Sequence, residues 1–574
     1  MQALSLGQVP QWLPPVRQRT EAVMSALAAY LDRNTLLCLA LMVVSSLPVS
    51  VLVAHITPLD SDEIYTYSIA QQPTVGKLIQ LSRLIDLHPP LHYLAVREAL
   101  KLPLPHWLGA RLPSIIALQL AMICVFWLLK RQFGNAVGLL GTSVLWFSAA
   151  TEFSWNDRPY ALWLFFLSLA ALLWTVCVEE DRKRWHVVAL SVAAFGMTLT
   201  HMLGLTCLLP FFLAEAVRYA RRGRADWPVW LALFLPCLMV FAYAYQIQGM
   251  SPNSFPARYL PSFDQAVGSY ERLASDSVYA LIGAVFAASL LKTRASAEEH
   301  IPKSFHREHW VLAWTLLFMP AVVELAARVH TFQFSYRYGI AGTLGIALLG
   351  AFAAARFVPA ARIAGAMLLL GLFIGGVARY QLDFQPPDPE VAFDLTGLNA
   401  TQLESLDARF PIVVAAAEDF TVLNYREPPE IAQRLYYLMD FDSAKKYSGQ
   451  TTFEDEVRTI PLLGLKGKAE PLLSFFAEHP SFYLVSTYTS THEWLTRYLI
   501  DHGAHLDLRG KFVREAAAND IFFVTVESPG SLARSAATAL PGPAHDSVGT
   551  AFDGETTPQQ SGRLEMGKPV TARQ

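Results

Sequence analysis

Between residues 36 and 380 the chain alternates long apolar runs with short polar breaks. A helix needs roughly 20 predominantly apolar residues to cross a bilayer. On that measure the runs predict spans at about 36–57, 109–129, 135–150, 160–178, 186–201, 203–217, 228–246, 277–291, 310–327, 339–355 and 363–380, eleven in all. From about 381 the pattern changes. Short apolar segments at 412–416, 482–486 and 521–526 read as strands, and 431–439 and 491–502 as helices, with Gly503 a fitting residue just past the second. Alternating strands and helices predict a small α/β domain over 381–527. The tail, 528–574, is rich in Ser, Ala, Gly, Pro and Thr and predicts disorder. The expected fold is therefore an α-helical polytopic membrane protein with a C-terminal extracytoplasmic α/β domain.

Composition sharpens this picture. The 574 residues are 53% hydrophobic and only 16% charged, whereas soluble domains sit nearer a quarter charged. A net charge of −3 gives no global basic field and no case for nucleic acid. All five cysteines fall within apolar runs, where they read as small packing residues rather than disulfide partners. Arg17, Arg19 and Arg33 precede the first run with no evident cleavage site after it, so residues 1–35 read as an inner-side segment leading into an uncleaved span.

Lys and Arg concentrate in every second loop: Lys130 and Arg131, Arg182 to Arg184, Arg218 to Arg224, Lys292 to Arg307, and Arg356 with Arg362. The positive-inside bias then places loop 59–108, residues 247–276 and the α/β domain outside, in what reads as a bacterial inner membrane. Within the first of these loops, 64–70 can begin a helix. Val75, Leu78, Leu81 and Ile85 form a stripe expected to lie in the lipid interface, with Lys77 and Arg83 toward water or headgroups. Pro89-Pro90 stops one element and opens the next, and Pro103 and Pro105 break the chain again. Tyr65, Tyr67, Tyr93 and Trp107 suit an aromatic belt at the headgroups. Residues 247–276, rich in Pro, Ser and Tyr, read as a lid or a plain connector.

The chemistry gathers in the same loop. Asp60, Asp62 and Glu63 lie within four positions, and Asp86 stands two residues before His88. Carboxylates beside lipid are costly unless solvated or used, although Asp and Ser are also ordinary helix caps. Arg111, Arg158 and Arg337 fall at the same ends of their spans, where an arginine can simply snorkel or can meet an anionic ligand. His88 can pack on the proline turn or bond a ligand. His201, in a hairpin between short spans, presents the same choice.

The order Asp62-Glu63, Asp86-Leu87-His88-Pro89-Pro90-Leu91, Arg111-Leu112-Pro113-Ser114 and Asn156-Asp157-Arg158-Pro159-Tyr160-Ala161-Leu162 resembles the GT-C membrane glycosyltransferases over roughly residues 36–360. It is most similar to the protein O-mannosyltransferases and to the aminoarabinose transferases of lipid A. The latter carry Lys where this chain has His88. The resemblance implies transfer of a hexose or pentose from a polyprenyl-phosphate donor to a lipid, glycan or protein acceptor on the outer face, with inversion. It implies Asp62 as base, Glu63 as its neighbour, and Asp60 as a competitor for the first role. Donor-phosphate and substrate contacts would come from His88, Arg111, Arg158, Arg337, Asp86 and His201. The four acids could hold a divalent ion, but no metal or other cofactor is assigned. The α/β domain is not explained by these motifs. A transporter or lipid flippase with an outer acidic site is the alternative. Against it, the acids cluster outside the spans, no repeat is evident, and transporter sites usually lie near the midplane. A non-catalytic scaffold with a partner-binding outer domain is a third option.

Overall fold

In the computed structural model the described residues are 13–86, 88–179, 182–243, 263–274, 276–290, 306–330, 335–357, 363–369, 371, 403–449, 451–486, 493–514 and 517–526. Leu87, residues 247–262, most of the last expected span and the 528–574 tail lie outside them.

The helices follow the apolar runs. In chain order they are α1 (Leu13–Arg33), α2 (Thr35–Ile56), α3 (Ser61–Ala70), α4 (Val75–Leu84), α5 (Leu91–Ala99), α6 (His106–Phe133), α7 (Asn135–Trp146), α8 (Tyr160–Val178), α9 (Arg184–Thr200), α10 (Leu209–Arg222), α11 (Trp227–Phe234), α12 (Phe263–Ala274), α13 (Ser277–Leu290), α14 (Arg307–His330) and α15 (Ala341–Phe357). Among the described residues, 5 helices are long and apolar enough to cross a membrane, or 6 if the bent pair α12–α13 is one span. Shorter apolar helices include Asn135–Trp146 and Ala341–Arg356. The protein is thus a multi-pass membrane protein. Helix α1 lies within the leading segment 1–35.

After the bundle comes one six-stranded sheet: β1 (Ile412–Val414), β2 (Leu435–Met439), β3 (Lys468–Pro471), β4 (Ser481–Ser486), β5 (His505–Arg514) and β6 (Ala517–Thr525). Its order is β3-β2-β1-β4-β6-β5. The first four strands are parallel, and β6 and β5 close the sheet antiparallel. Residues 435–439, expected as part of a helix, are strand β2. The run Leu-Tyr-Tyr-Leu-Met sits between two parallel neighbours with its first four residues buried. A short continuous apolar run has no period to distinguish strand from helix, and here its tyrosines favour the strand. Helix α16 (Ala417–Arg426) follows β1. Gly503 has φ +74°, the left-handed conformation a residue beyond a helix end demands.

The sheet and the first loop share a core. Tyr65, Ile69, Leu78, Leu81 and Tyr93 belong to the same buried cluster as Leu403, Ile412, Phe420, Leu435 and Ile521. Leu78 and Leu81 of the α4 stripe, with Ile85 at its edge, therefore feed a protein core rather than the lipid interface, whereas Val75 is exposed, as are Lys77 and Arg83. Tyr65 and Tyr93 are buried for the same reason and form no headgroup belt. The break in composition near residue 381 is not a break in packing.

Candidate active site

Helix α3 begins with a reciprocal cap. Asp60 Oδ1 accepts from the Glu63 amide at 2.8 Å, and Glu63 Oε2 accepts from the Asp60 amide at 3.1 Å. Placing Asp60 at the cap turns Asp62 and Glu63, one residue apart on the first turn, to different sides of the helix.

Glu63 faces inward and is 1% exposed, as is Arg111. Arg111 donates through Nε to Glu63 Oε1 at 2.7 Å and through Nη2 to Oε2 at 2.5 Å. Its other N–H groups reach the carbonyls of Ala54 (2.6 Å), Thr57 (2.5 Å) and Pro58 (2.9 Å). A guanidinium has five N–H donors, and all five are committed within the protein. In this structure Arg111, expected as a donor-phosphate contact, holds the end of α2 and the buried Glu63 carboxylate. Glu63 Oε1 also accepts from the Asp157 amide at 2.6 Å.

Asp86 is gripped by Arg158 in a fork, Nη1 to Oδ2 at 2.8 Å and Nη2 to Oδ1 at 3.0 Å. Tyr93 Oη donates to Asp86 Oδ2 at 2.5 Å, and His88 Nδ1 stands 3.4 Å from Oδ1. Burial alone would raise the Asp86 carboxyl, but Arg158 and then His88 hold it well below the usual range. Arg158 is itself buried, with Nη1 also donating to the Asp62 carbonyl at 3.1 Å and to Thr66 Oγ1 at 3.3 Å. It is no snorkelling side chain. Its Nε lies 3.8 Å from Asp62 Oδ2 and has no hydrogen-bond partner among the described residues.

Asp62 stands apart because it is reachable. Its side chain is 32% exposed, and Arg337, 34% exposed, donates from Nη1 to Asp62 Oδ2 at 2.7 Å. Crowding by protein raises the Asp62 carboxyl; Arg158 and Arg337 outweigh it and keep the group ionised below the ordinary value. Asp60, by contrast, is raised to about 7 by its surroundings and by the charges of Glu63 and Asp62. Its other oxygen accepts from Asn156 Nδ2 at 3.3 Å.

Beside Arg337 lies an aromatic floor. The guanidinium sits over Tyr160 and Tyr338 at 5.8 and 5.9 Å from the ring centres. His201, which ends α9, stacks on Trp163 at 4.7 Å and meets His88 edge-on at 4.8 Å. Its Nδ1 accepts from the Leu203 amide at 3.1 Å, so the hydrogen of the neutral ring is on Nε2. That Nε2, Tyr160 Oη and Arg337 Nε are buried polar atoms with no partner among the described residues. Unpartnered buried donors grouped in one place are what a polar ligand would satisfy.

One pair escaped the sequence reading. His92 Nε2 and Asp157 Oδ1 are 3.0 Å apart and both side chains are fully buried. Burial pushes His92 down to about 3 and pushes Asp157 up. Asp157 lies within the Asn156–Leu162 stretch, and His92 is one turn after His88; the only signal was polarity at a span entrance. Among the described residues, no three metal-ligating side chains converge. Asp62, Glu63 and Asp86 each face an arginine instead.

The fold and this site define a class: a polytopic helical membrane protein whose loop-borne acidic helix is covered by a C-terminal α/β domain. Among solved structures it is similar to ArnT from Cupriavidus metallidurans in the apo state, with TM-score 0.53, 12% identity, 84% of this chain and 97% of that one covered. The same protein bound to undecaprenyl phosphate gives TM-score 0.52 at 12% identity, covering 85% and 98%. At that identity the likeness speaks to the fold. No curated protein sequence matches. Residues 87–245 match the family described as dolichyl-phosphate-mannose-protein mannosyltransferase, a stretch that holds His88, His92, Arg111, Asp157, Arg158 and His201. The resemblance drawn from the motifs is borne out, and the chain is a membrane glycosyltransferase.

Proposed function

We propose that the protein moves a sugar from a polyprenyl-phosphate donor to an acceptor hydroxyl on the outer face of the membrane, with inversion at the anomeric carbon. Asp62 is the base. It takes the acceptor proton as the acceptor oxygen attacks the anomeric carbon. The bond from that carbon to the phosphate oxygen breaks, and the lipid phosphate leaves. Arg337, with an unpartnered Nε beside Asp62, receives the developing charge. His88 and His201 flank it, Nε2–H of His201 being an available donor. Arg158, held in place by Asp86, joins Arg337 in keeping Asp62 ionised. Glu63 and Arg111 hold the helix.

The observation that carries this reading is the contrast among the acids. Glu63 and Asp86 are locked to arginines in the interior and Asp60 caps a helix. Asp62 alone of the four pairs its carboxylate with a guanidinium that is likewise partly exposed. The ArnT structure with undecaprenyl phosphate supports the class of donor. Eleven spans, a bacterial inner membrane, and an outward-facing site and α/β domain complete the reading.

The test uses the full-length protein in lipid nanodiscs with undecaprenyl-phosphate mannose and undecaprenyl-phosphate glucose as probes. Release of undecaprenyl phosphate that requires Asp62 is expected. Movement of labelled undecaprenyl phosphate between leaflets, with no cleavage of either probe, would support the flippase reading instead.

A further inference from the structure

The chain between α2 and the acidic helix is held from two directions. The carbonyls of Thr57 and Pro58 accept from Arg111 of α6 at 2.5 and 2.9 Å. The next carbonyl, that of Leu59, accepts from Nη2 of Arg426 at 3.1 Å, and Arg426 ends α16 of the α/β domain. Three consecutive carbonyls just ahead of the Asp60 cap are thus fixed by two arginines, one from the membrane bundle and one from the sheet domain.

Helix α16 is built as a bridge. Ala417, Phe420 and Leu423 recur at spacings of three and belong to the core shared with the sheet. Val422 and Tyr425 lie on another side. Val422 closes a small buried cluster with Leu59 and Ile64, and Tyr425 meets Tyr67 edge-on at 5.7 Å. Thr421 Oγ1 lies 3.5 Å from Tyr65 Oη. Ile64, Tyr65 and Tyr67 are all on α3, the helix whose second residue is Asp62.

We infer that the α/β domain sets the aim of the acidic helix, and that Arg426 is its positioning residue. Arg426 touches no reacting atom. It fixes the Leu59 carbonyl, three residues before Asp62, and so fixes where the first turn of α3 starts. The inference rests on the reading of Asp62 as base. Misplacing a catalytic group by about 1 Å can cost roughly a hundredfold in rate. Binding of the lipid phosphate, which draws on Arg337 and the histidines, does not depend on that placement in the same degree. The effect therefore falls on turnover more than on apparent affinity.

The experiment compares wild type, Arg426→Met and Arg426→Lys as full-length protein in nanodiscs. Release of undecaprenyl phosphate from the two undecaprenyl-phosphate sugars is measured alongside amide exchange over 57–63. The methionine variant is expected to lose about tenfold or more in kcat, with KM for the probe within about threefold, and lysine is expected to recover most of the loss. Amide exchange over 57–63 is expected to quicken in the methionine variant. Wild-type kcat in that variant, a loss confined to KM, or unchanged exchange would each overturn the inference. If wild type cleaves neither probe, the catalytic reading fails on its own, and the exchange comparison still decides whether Arg426 holds the segment. Should Arg426→Met not fold, Val422→Ala carries the same pair of measurements.

Discussion

Arg337 and Asp62 meet at 2.7 Å across 275 positions of sequence. The contact joins the short turn Tyr336–Gly339, just before α15, to the first turn of α3 and leaves both groups about a third exposed. A charged pair at a protein surface adds little stability, and the same pair at the edge of a site can be remade around a ligand.

Asp62→Asn is expected to lower turnover of undecaprenyl-phosphate sugars by about 10²- to 10⁴-fold, the usual scale for a positioned base. Yield and thermal midpoint should stay near wild type, because the amide can still accept from Arg337. Residual transfer within a few-fold of wild type would remove Asp62 from the role of base.

Two arginines should respond in opposite ways. Arg337→Ala is expected to weaken binding of undecaprenyl phosphate by about ten- to a hundredfold with a small change in thermal midpoint, since charged hydrogen bonds contribute about 1.5–3 kcal/mol. Arg111→Ala leaves the buried Glu63 carboxylate unpaired, a loss of about 3–5 kcal/mol that should show as poor yield and a lowered midpoint. Titration of undecaprenyl phosphate by intrinsic fluorescence, beside a thermal melt, separates the two.

The acids of the site pull stability in different directions with pH. Asp86 is depressed in the folded protein, so its contribution is complete above the unfolded value, near 3.8, and is lost only as pH falls through the lower folded value. Asp60 is raised to about 7, so the folded state binds its proton more tightly. That contribution is full below about 3.8 and fades as pH rises through 7. Asp60→Asn, which keeps a capping side chain, should therefore raise the thermal midpoint relative to wild type more at pH 8 than at pH 5. An equal shift at both pH values would contradict the raised value.

The buried pair His92–Asp157 should behave as a unit. Each of His92→Phe and Asp157→Leu leaves the partner's buried polar atom unsatisfied and is expected to cost about 1–3 kcal/mol. The double variant should cost less than their sum. Additive losses in thermal or chemical unfolding would show that the two do not rely on each other.

Much of this architecture is written in local pattern. The apolar runs predict the helices, the proline pairs mark the breaks between α4, α5 and α6, and strands β1, β4 and β6 fall where short buried runs stand. What the pattern hides is which surfaces meet. The stripe on α4 reads as a lipid-facing helix because an apolar face does not say whether lipid or protein covers it; here the sheet domain does. Arg111 and Arg158 stand at span ends like any snorkelling arginine. Only their partners, Glu63 at 48 positions and Asp86 at 72, separate anchoring from ligand binding. His92 carried no signal beyond its residue type, since its partner is 65 positions away.

The shared core also governs the order in which the protein can be made. The helices of the first loop leave the ribosome early, while residues that cover them, such as Thr421 opposite Tyr65, follow 356 positions later. Until that last quarter of the chain has been synthesised, the faces of α3 and α4 that it covers stay open, although the other side of α3 is already bonded to Arg111 and Arg158. The helix that carries Asp62 is consequently among the first parts translated and among the last to be fully covered.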